Sequence, residues 1–338
     1  MEALSVAELP VGSSWQYEPK WDGFRCIAFR DGAKVELRSK AGRSLSRYFP
    51  EIVAALKVLD ARRFVLDGEL VVPGDGSLSF DSLLQRIHPA ASRVKWLAAE
   101  TPALYVVFDL LVDGAGKSLV DEPLSERRSR LEKFSARFIA RATGIKLSPY
   151  SNAVRTARGW LAGRAGLDGV VAKRVDLPYQ SGERTGMQKV KRIRTADCVV
   201  GGFRYASRGD GVGSLLLGLY DDEGLLNHIG FTSSFSADER RNLVPRVEKL
   251  IRPPGFTGKK PGGPSRWSTA RSPEWQPLAP KLVVEVTYDH FSGDRFRHGA
   301  GFVRWRPDKA PRQCTMEQVM QPAPSVMRML GGAKRKRA

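Results

Sequence analysis

The sequence predicts an α+β protein in two parts. A larger part of antiparallel sheets with helices is expected over residues 1–194 and a small antiparallel β-barrel over residues 195–315, ahead of a basic C-terminal tail at 316–338. Three observations lead there. Strand-like and helix-like segments alternate through the first half. Near residue 194 the texture changes to short apolar strands broken by glycines. The 338 residues are enough for two domains.

Taken in order, "RCIAFRDGAKVELRS" reads as two strands around the turn pair Asp31-Gly32, a strong hairpin signal. "FPEIVAALKVL" carries apolar residues at helical spacing, with Pro50 in the first turn. "RFVLDGELVV" is an apolar strand interrupted by Asp-Gly-Glu, and "ALYVVFDLLV" is a second buried strand. A basic helix is expected around "PLSERRSRLEKFSARF", and "DGVVAKR" again reads as strand. In the second part "DCVVGGFRY", "SLLLGLYDDEGLLNHIGFT" and "KLVVEVTYD" supply the barrel strands, with a helix over "SADERRNLVPRVEKLI". The Pro/Gly/Lys-rich "RPPGFTGKKPGGPSRW" is expected to be a mobile loop and the terminal "GGAKRKRA" a disordered basic run.

Composition narrows the function classes. With 42% hydrophobic and 27% charged residues the chain reads as soluble and globular. There is no apolar run of membrane-spanning length and no export pattern in "MEALSVAELP". Cys26, Cys198 and Cys314 lie far apart without a C-x-x-C pair, which argues against a zinc site or a disulfide framework and fits a reducing cytosol. Lys and Arg total 55 against 36 Asp and Glu, a net charge of +19. Such an excess favours a polyanion, because each neutralised phosphate releases condensed counterions. Nucleic acid is favoured over an acidic membrane, for which no basic amphipathic helix is present.

Polar residues inside apolar strands are the candidates for chemistry. In "YEPKWDGFRC" one lysine, Lys20, sits amid Glu18, Asp22 and Arg25. At its ordinary pKa only about 1 lysine in 2,500 is neutral at pH 7. A nucleophilic lysine working from that form would lose about 4.6 kcal/mol, unless cations, a metal or burial expose the lone pair. Lys173, Lys189, Lys191 and Arg25 are the cations available if the fold gathers them. K-x-D-G-x-R alone equally fits a surface lysine in a charged strand. Glu69 in "VLDGELVV" and Asp168 in "DGVVAKR" need a cation, a metal or a ligand hydroxyl if buried, and fit Mg²⁺ beside phosphate oxygens; at strand ends in solvent they need none. Strand parity puts Val171 with Lys173, and Lys189 with Lys191, on one face, where an anion such as a triphosphate would relieve the repulsion. Phe108 reads as core or as a ring that stacks on a base.

Order and combination are more specific than any single motif. The series "KWDGFR" (20–25), "LDGEL" (66–70), "VVFDLL" (106–111), "DGVVAKR" (168–174), "KVK" (189–191) and "RWRPDK" (304–309) resembles motifs I, III, IIIa, IV, V and VI of the covalent nucleotidyltransferases. Over roughly residues 15 to 312 the chain is similar to bacterial ATP-dependent DNA ligases of the LigC type. The resemblance implies an ATP-grasp-like nucleotidyltransferase (adenylation) domain followed by an OB-fold. It implies that Lys20 takes AMP from ATP, passes it to the 5′-phosphate of a nick in double-stranded DNA, and leaves the 3′-hydroxyl to close the backbone.

The same resemblance assigns residues. Glu18 would border the adenine, with Phe108 stacked on one face of the base and Val171 packed on the other. Glu69 would hold the ribose hydroxyl, Arg25 the ribose or the nick terminus, and Lys189 and Lys191 the α-phosphate. Asp22 joins the catalytic set, while Lys173 and Arg184 join the nucleotide-binding set. Glu69 and Asp168 would hold Mg²⁺ or Mn²⁺. Arg306, Asp308 and Lys309 would orient the leaving pyrophosphate, which requires the barrel to close over ATP and later swing away. Three positions depart from the family pattern: Asp168 where Glu is common, Met187 where Trp is common, and Lys40 where an Arg would give bidentate phosphate contact. Arg43, Arg47, Lys259 and Lys260 are candidates for DNA phosphates, or solvated surface.

The resemblance further implies a monomeric, cytoplasmic, nucleoid-associated bacterial enzyme of DNA repair, with a primase-polymerase or Ku as partners known for related ligases. An RNA ligase or mRNA-capping guanylyltransferase shares the lysine and the fold, and a non-catalytic nucleic-acid-binding module is the alternative outside enzymes. Retention of Lys20, Lys189 and Lys191 speaks against the last.

Overall fold

The computed structural model describes the chain apart from residues 75–76, 163–166, 208, 210, 263–273, 321–328 and 331–338. The chain divides into two compact units, Met1–Arg192 and Ile193–Gln321, and residues 329 and 330 belong with the first.

In chain order the first unit contains β1 (Leu4–Ser5), β2 (Trp15–Lys20), β3 (Phe24–Asp31), β4 (Lys34–Ser39), α1 (Pro50–Lys57) and β5 (Arg63–Val71). There follow α2 (Phe80–Gln85), α3 (Ala91–Glu100), β6 (Leu104–Val112), α4 (Leu124–Phe134), β7 (Ile145–Leu147), α5 (Val154–Ala162), β8 (Gly169–Arg174) and β9 (Met187–Lys191). Among the described residues these strands form two sheets, ordered β1-β9-β8-β2 and β4-β3-β5-β6-β7.

The sequence pattern explains each sheet. The β3–β4 hairpin turns at Gly32, whose φ of 59° suits a residue without a Cβ. Pro50 opens α1 at a position where its missing N–H is not needed, and Ile52 and Leu56, one turn apart, are both buried. Cys26 and Ala28 of β3, Leu66 and Leu70 of β5, and Tyr105 and Val107 of β6 point into the same core as α1. Alternation therefore turns Arg25, Asp67 and Glu69 to the opposite face. On β6 the register skips Phe108, because Val107 pairs with Gly68 and Asp109 with Asp67. Such a bulge re-aims a side chain. In the other sheet Tyr17, Val170 and Ala172 pack against Ala157 of α5, so the polar residues of β2, β8 and β9 occupy the free face.

Two pairings differ from the all-antiparallel expectation: β1 with β9, and β6 with β7, are parallel. Helix α4 provides the crossover that a parallel β6–β7 pair requires, and β1 and β9 are separated by most of the unit, so no hairpin constrains their direction.

The second unit contains β10 (Arg194–Tyr205), β11 (Val212–Tyr220), β12 (Leu226–Thr232), α6 (Ala237–Glu248), β13 (Gln276–Pro277), β14 (Val283–Tyr288), β15 (Phe291–Ser292), β16 (Arg295–Phe296) and β17 (Gly301–Trp305). Ser236 and Glu239 form a capping box at the start of α6, satisfying two orphan N–H groups reciprocally. The sheet runs β12-β11-β10-β14-β17, with β13 also on β10. Among the described residues it does not close by a continuous ladder, so the small barrel that the sequence predicts is an open one, consistent with an OB-fold. Its ends meet at a single bridge, Thr232 to Ala300. The separate hairpin β15–β16 packs against β12, with Phe296 in contact range of Gly230. The unit also extends past residue 315, where the tail was expected to begin, because Met316 is buried in its core and Gln318 bonds the backbone of Asp197. The terminal basic run, and residues 263–273 of the Pro/Gly/Lys-rich loop, lie outside the described residues.

Candidate active site

The register of β2, β8 and β9 builds one face of the site in rows. Lys20 stands beside Gly169 and Lys191, Glu18 beside Val171 and Lys189, and Gln16 beside Lys173 and Met187. The Lys20 ammonium is ion-paired with the Asp168 carboxylate, and the Asp168 N–H donates to the Lys20 carbonyl at 3.1 Å. Three Asp-Gly pairs surround this point for a common reason. A Cβ on Gly169 would lie 2.1 Å from the Val190 carbonyl oxygen, one on Gly68 2.6 Å from that of Val106, and one on Gly23 2.1 Å from that of Leu70. Each carboxylate is thus held next to a backbone approach that no side chain permits.

Opposite these rows lie β3, β5 and β6. The buried Glu18 carboxylate accepts from Lys173 Nζ at 2.8 Å and from Gln16 Nε2 at 2.8 Å. Lys173 Nζ lies 4.3 Å from the centroid of the Phe108 ring, so this cation joins the two sheets. A desolvated contact of that kind is worth about 2 kcal/mol. Arg25 approaches the same ring at 5.7 Å and grips fully buried Asp67 with two bonds, Nε–Oδ1 3.1 Å and Nη2–Oδ2 2.6 Å. The Tyr179 hydroxyl donates to Asp67 Oδ2 at 2.8 Å. Burial raises the Asp67 pKa, but Arg25 and Tyr179 outweigh it and bring the carboxyl below its ordinary value. Behind Phe108, Asp109 is held bidentately by buried Arg127 at 2.9 and 3.0 Å.

Glu69 differs from these paired acids. Removal from water pushes its pKa from 4.5 to about 8, against the pull of Lys20 and Arg25 and with the help of Asp67 and Asp22. Lys189 is shifted down, first by burial and then by the charges of Lys20, Lys191 and Lys40. At the margin, the Glu2 carboxylate bridges Lys40 at 2.9 Å and Arg184 at 3.2 Å, and the Met1 carbonyl accepts from Arg25. Met187 is buried at the end of the row that begins with Gln16. Arg43 and Arg47 are exposed, and Lys259 is paired with Asp294. Among the described residues no three His, Cys, Asp or Glu side chains cluster as a metal site.

Arg306, Asp308 and Lys309 belong to the second unit, where they form a network of their own. The Asp308 carboxylate accepts from Arg306, and this bond brings its pKa down to about 2. Sequence reasoning did not single out Gln16, Asp67, Asp109, Arg127 or Tyr179. Asp67 had a signal: it lies two residues before Glu69 in one strand and so shares its face.

A lysine within a basic row, faced by an aromatic ring and flanked by buried carboxylates, defines the pocket of a covalent nucleotidyltransferase. Comparison with known proteins gives the particular family. Residues 6–191 match the ATP dependent DNA ligase domain, and residues 208–309 match the ATP dependent DNA ligase C terminal region. The chain is 46% identical to DNA ligase C2 of Mycolicibacterium smegmatis, over 95% of this chain and 94% of that one. It is 31% identical to the multifunctional non-homologous end joining protein LigD of Mycobacterium bovis, over 90% of this chain but 38% of that one. A solved Lig E DNA ligase matches with a TM-score of 0.54 at 17% identity, over 90% of this chain and 100% of that one, a likeness of fold. The chain belongs to the ATP-dependent DNA ligases, and among them to the bacterial LigC type. Among the described residues no helix is long and apolar enough to cross a membrane.

Proposed function

We propose that this ligase seals nicks in duplex DNA through AMP carried on Lys20. As the free amine, Lys20 Nζ attacks the α-phosphorus of ATP. The N–P bond forms as the bond to pyrophosphate breaks, giving a lysyl-AMP phosphoramidate. The base in contact with Nζ is Asp168, which takes the amine proton. AMP then passes to the 5′-phosphate of the nick, restoring the amine. Attack by the 3′-hydroxyl closes the backbone and releases AMP. The reading rests on one observation: Lys20 shares its face with Lys189 and Lys191, while Phe108 faces them beside Lys173 and Glu18.

The remaining assignments complete this reading. The adenine lies between Phe108 and Val171, with Glu18 at its edge, held by Lys173. Arg25 and Glu69 meet the ribose or the nick terminus, and Arg25 is pre-oriented by Asp67. Lys189 and Lys191 neutralise the α-phosphate, which a transferring phosphoryl group requires. Lys40 and Arg184, now on the Glu2 carboxylate, are free to exchange it for a phosphate. Arg306 and Lys309 act on the leaving pyrophosphate. Glu69 fits a divalent cation, because loss of water holds its carboxyl up against Lys20 and Arg25 and a bound cation would favour the charged form; Asp168 fits only by giving up Lys20. Mg²⁺ or Mn²⁺ held there would neutralise phosphate charge. The likeness to LigD supports a role in DNA end repair, and the net charge of +19 supports binding of a polyanion.

The test is incubation with α-labelled ATP and Mg²⁺, followed by nicked DNA. The wild type is expected to gain acid-labile covalent label and to lose it on sealing, and Lys20→Ala is expected to gain none. Label retained by the alanine variant would overturn the mechanism. Preferential labelling by GTP, or sealing of RNA nicks alone, would favour a capping-type or RNA-joining enzyme.

A further inference from the structure

The second unit holds an arrangement that its fold does not need. Asp197 of β10 and Glu285 of β14 are direct cross-strand partners, and Glu285 is in turn opposite Arg304 of β17. Two carboxylates directly opposite each other repel. Three cations converge on them instead. Arg306 Nη1 lies 2.8 Å from Asp197 Oδ1 and 3.9 Å from Glu285 Oε2, Lys309 Nζ lies 3.5 Å from Asp197 Oδ2, and Arg304 Nε lies 2.7 Å from Glu285 Oε2. The backbone of Asp197 is fixed as well. Its N–H donates to Gln318 Oε1 at 3.0 Å, and its carbonyl accepts from Gln318 Nε2 at 3.1 Å.

We infer that Asp197 is a positioning residue for the first step of ligation: its two oxygens set Arg306 and Lys309 in the geometry in which they meet the leaving pyrophosphate. This rests on the reading that Arg306 acts in that step. Asp197 is suited to it where Asp308 is not. Asp308 is largely exposed on the turn that follows β17, whereas Asp197 is mostly buried on a strand and locked on both backbone groups. One carboxylate with an oxygen for each cation fixes their separation, and two long side chains are thereby held before the substrate arrives. Preorganisation of this kind removes reorganisation from the step it serves. Glu285, farther from Arg306, supports the same cation from the other side.

The experiment uses the full chain with two substrates. One assay follows transfer of AMP from ATP to the enzyme. The other follows sealing of a nick whose 5′-phosphate already carries AMP, without ATP. Asp197→Asn is expected to slow the first by about tenfold, the loss of roughly one charge-assisted hydrogen bond, with a rise in KM for ATP. Sealing of the preadenylylated nick is expected to stay within about twofold of the wild type. Asp197→Glu is expected to recover part of the first activity, because it keeps the charge. Arg306→Ala is the control. If it leaves AMP transfer intact, the reading of Arg306 itself fails. If Arg306→Ala impairs transfer and Asp197→Asn does not, the inference about Asp197 is overturned while that reading stands. Equal loss in both assays with a lowered melting temperature would make Asp197 merely structural and overturn the inference too.

Discussion

The two units use ion pairs in opposite ways. Around Lys20 the pairs are buried: Glu18 is 2% exposed and Lys173 4%, and Asp67 is inaccessible beneath Arg25. Around Arg306 only the Asp197 side is sheltered, and the outer partners stand in water, with Asp308 61% and Arg304 62% exposed. A buried pair cannot dissociate without stranding a charge in a poor solvent, so it fixes geometry. A rim pair can exchange its partner for a phosphate at small expense. The difference teaches which groups serve as scaffold and which are available to a charged substrate.

The sharpest test breaks a buried pair. Asp67→Ala strands Arg25 and the Tyr179 hydroxyl, and is expected to destabilise the protein by about 3–5 kcal/mol. Urea unfolding measures it, and a loss below about 1 kcal/mol would place Asp67 with the rim pairs. Asp109 and Arg127 offer the complementary experiment. Asp109→Leu combined with Arg127→Met is expected to cost less than either change alone, because no charge remains unpaired.

Glu69 is a half-buried acid whose carboxyl is pushed up by loss of water, and so has a pH signature. Its folded pKa of about 8 lies above the ordinary 4.5. Between those values the folded state keeps a proton that the unfolded state has lost. The stability this contributes is full below pH 4.5 and disappears as pH rises towards 8. The slope approaches about 1.4 kcal/mol per pH unit at most. Glu69→Gln is expected to flatten it in urea titrations across that range, and an unchanged slope would show that Glu69 does not titrate there.

Much of this was legible in the chain, and the limit is physical. Strand alternation put Lys189 with Lys191, and Val171 with Lys173, on shared faces, and the register of β8 and β9 has them so. Alternation is a local rule and needs no tertiary knowledge. It cannot say that Lys173 reaches across to Phe108, because that contact depends on the bulge that re-aims the ring. Nor could it pair Asp67 with Tyr179, 112 residues apart, or find Asp197 beside Arg306, 109 apart. The open ladder of the second sheet escaped for the same reason: the glycines that predicted a barrel do not reveal which strand edges bond.

The smallest expected effect completes the contrast. Arg304 bonds Glu285 at 2.7 Å, a distance as short as many in the buried pocket. Geometry alone would rank it with Arg25. Exposure ranks it otherwise, since water replaces the partner of either group and salt screens their attraction. Arg304→Gln is therefore expected to leave the thermal midpoint within the error of a melt. AMP transfer should also be unchanged, because Asp197 and Asp308 still hold Arg306. A fall in stability comparable with that of Asp67→Ala would mean that bond length, not burial, decides which charges are scaffold.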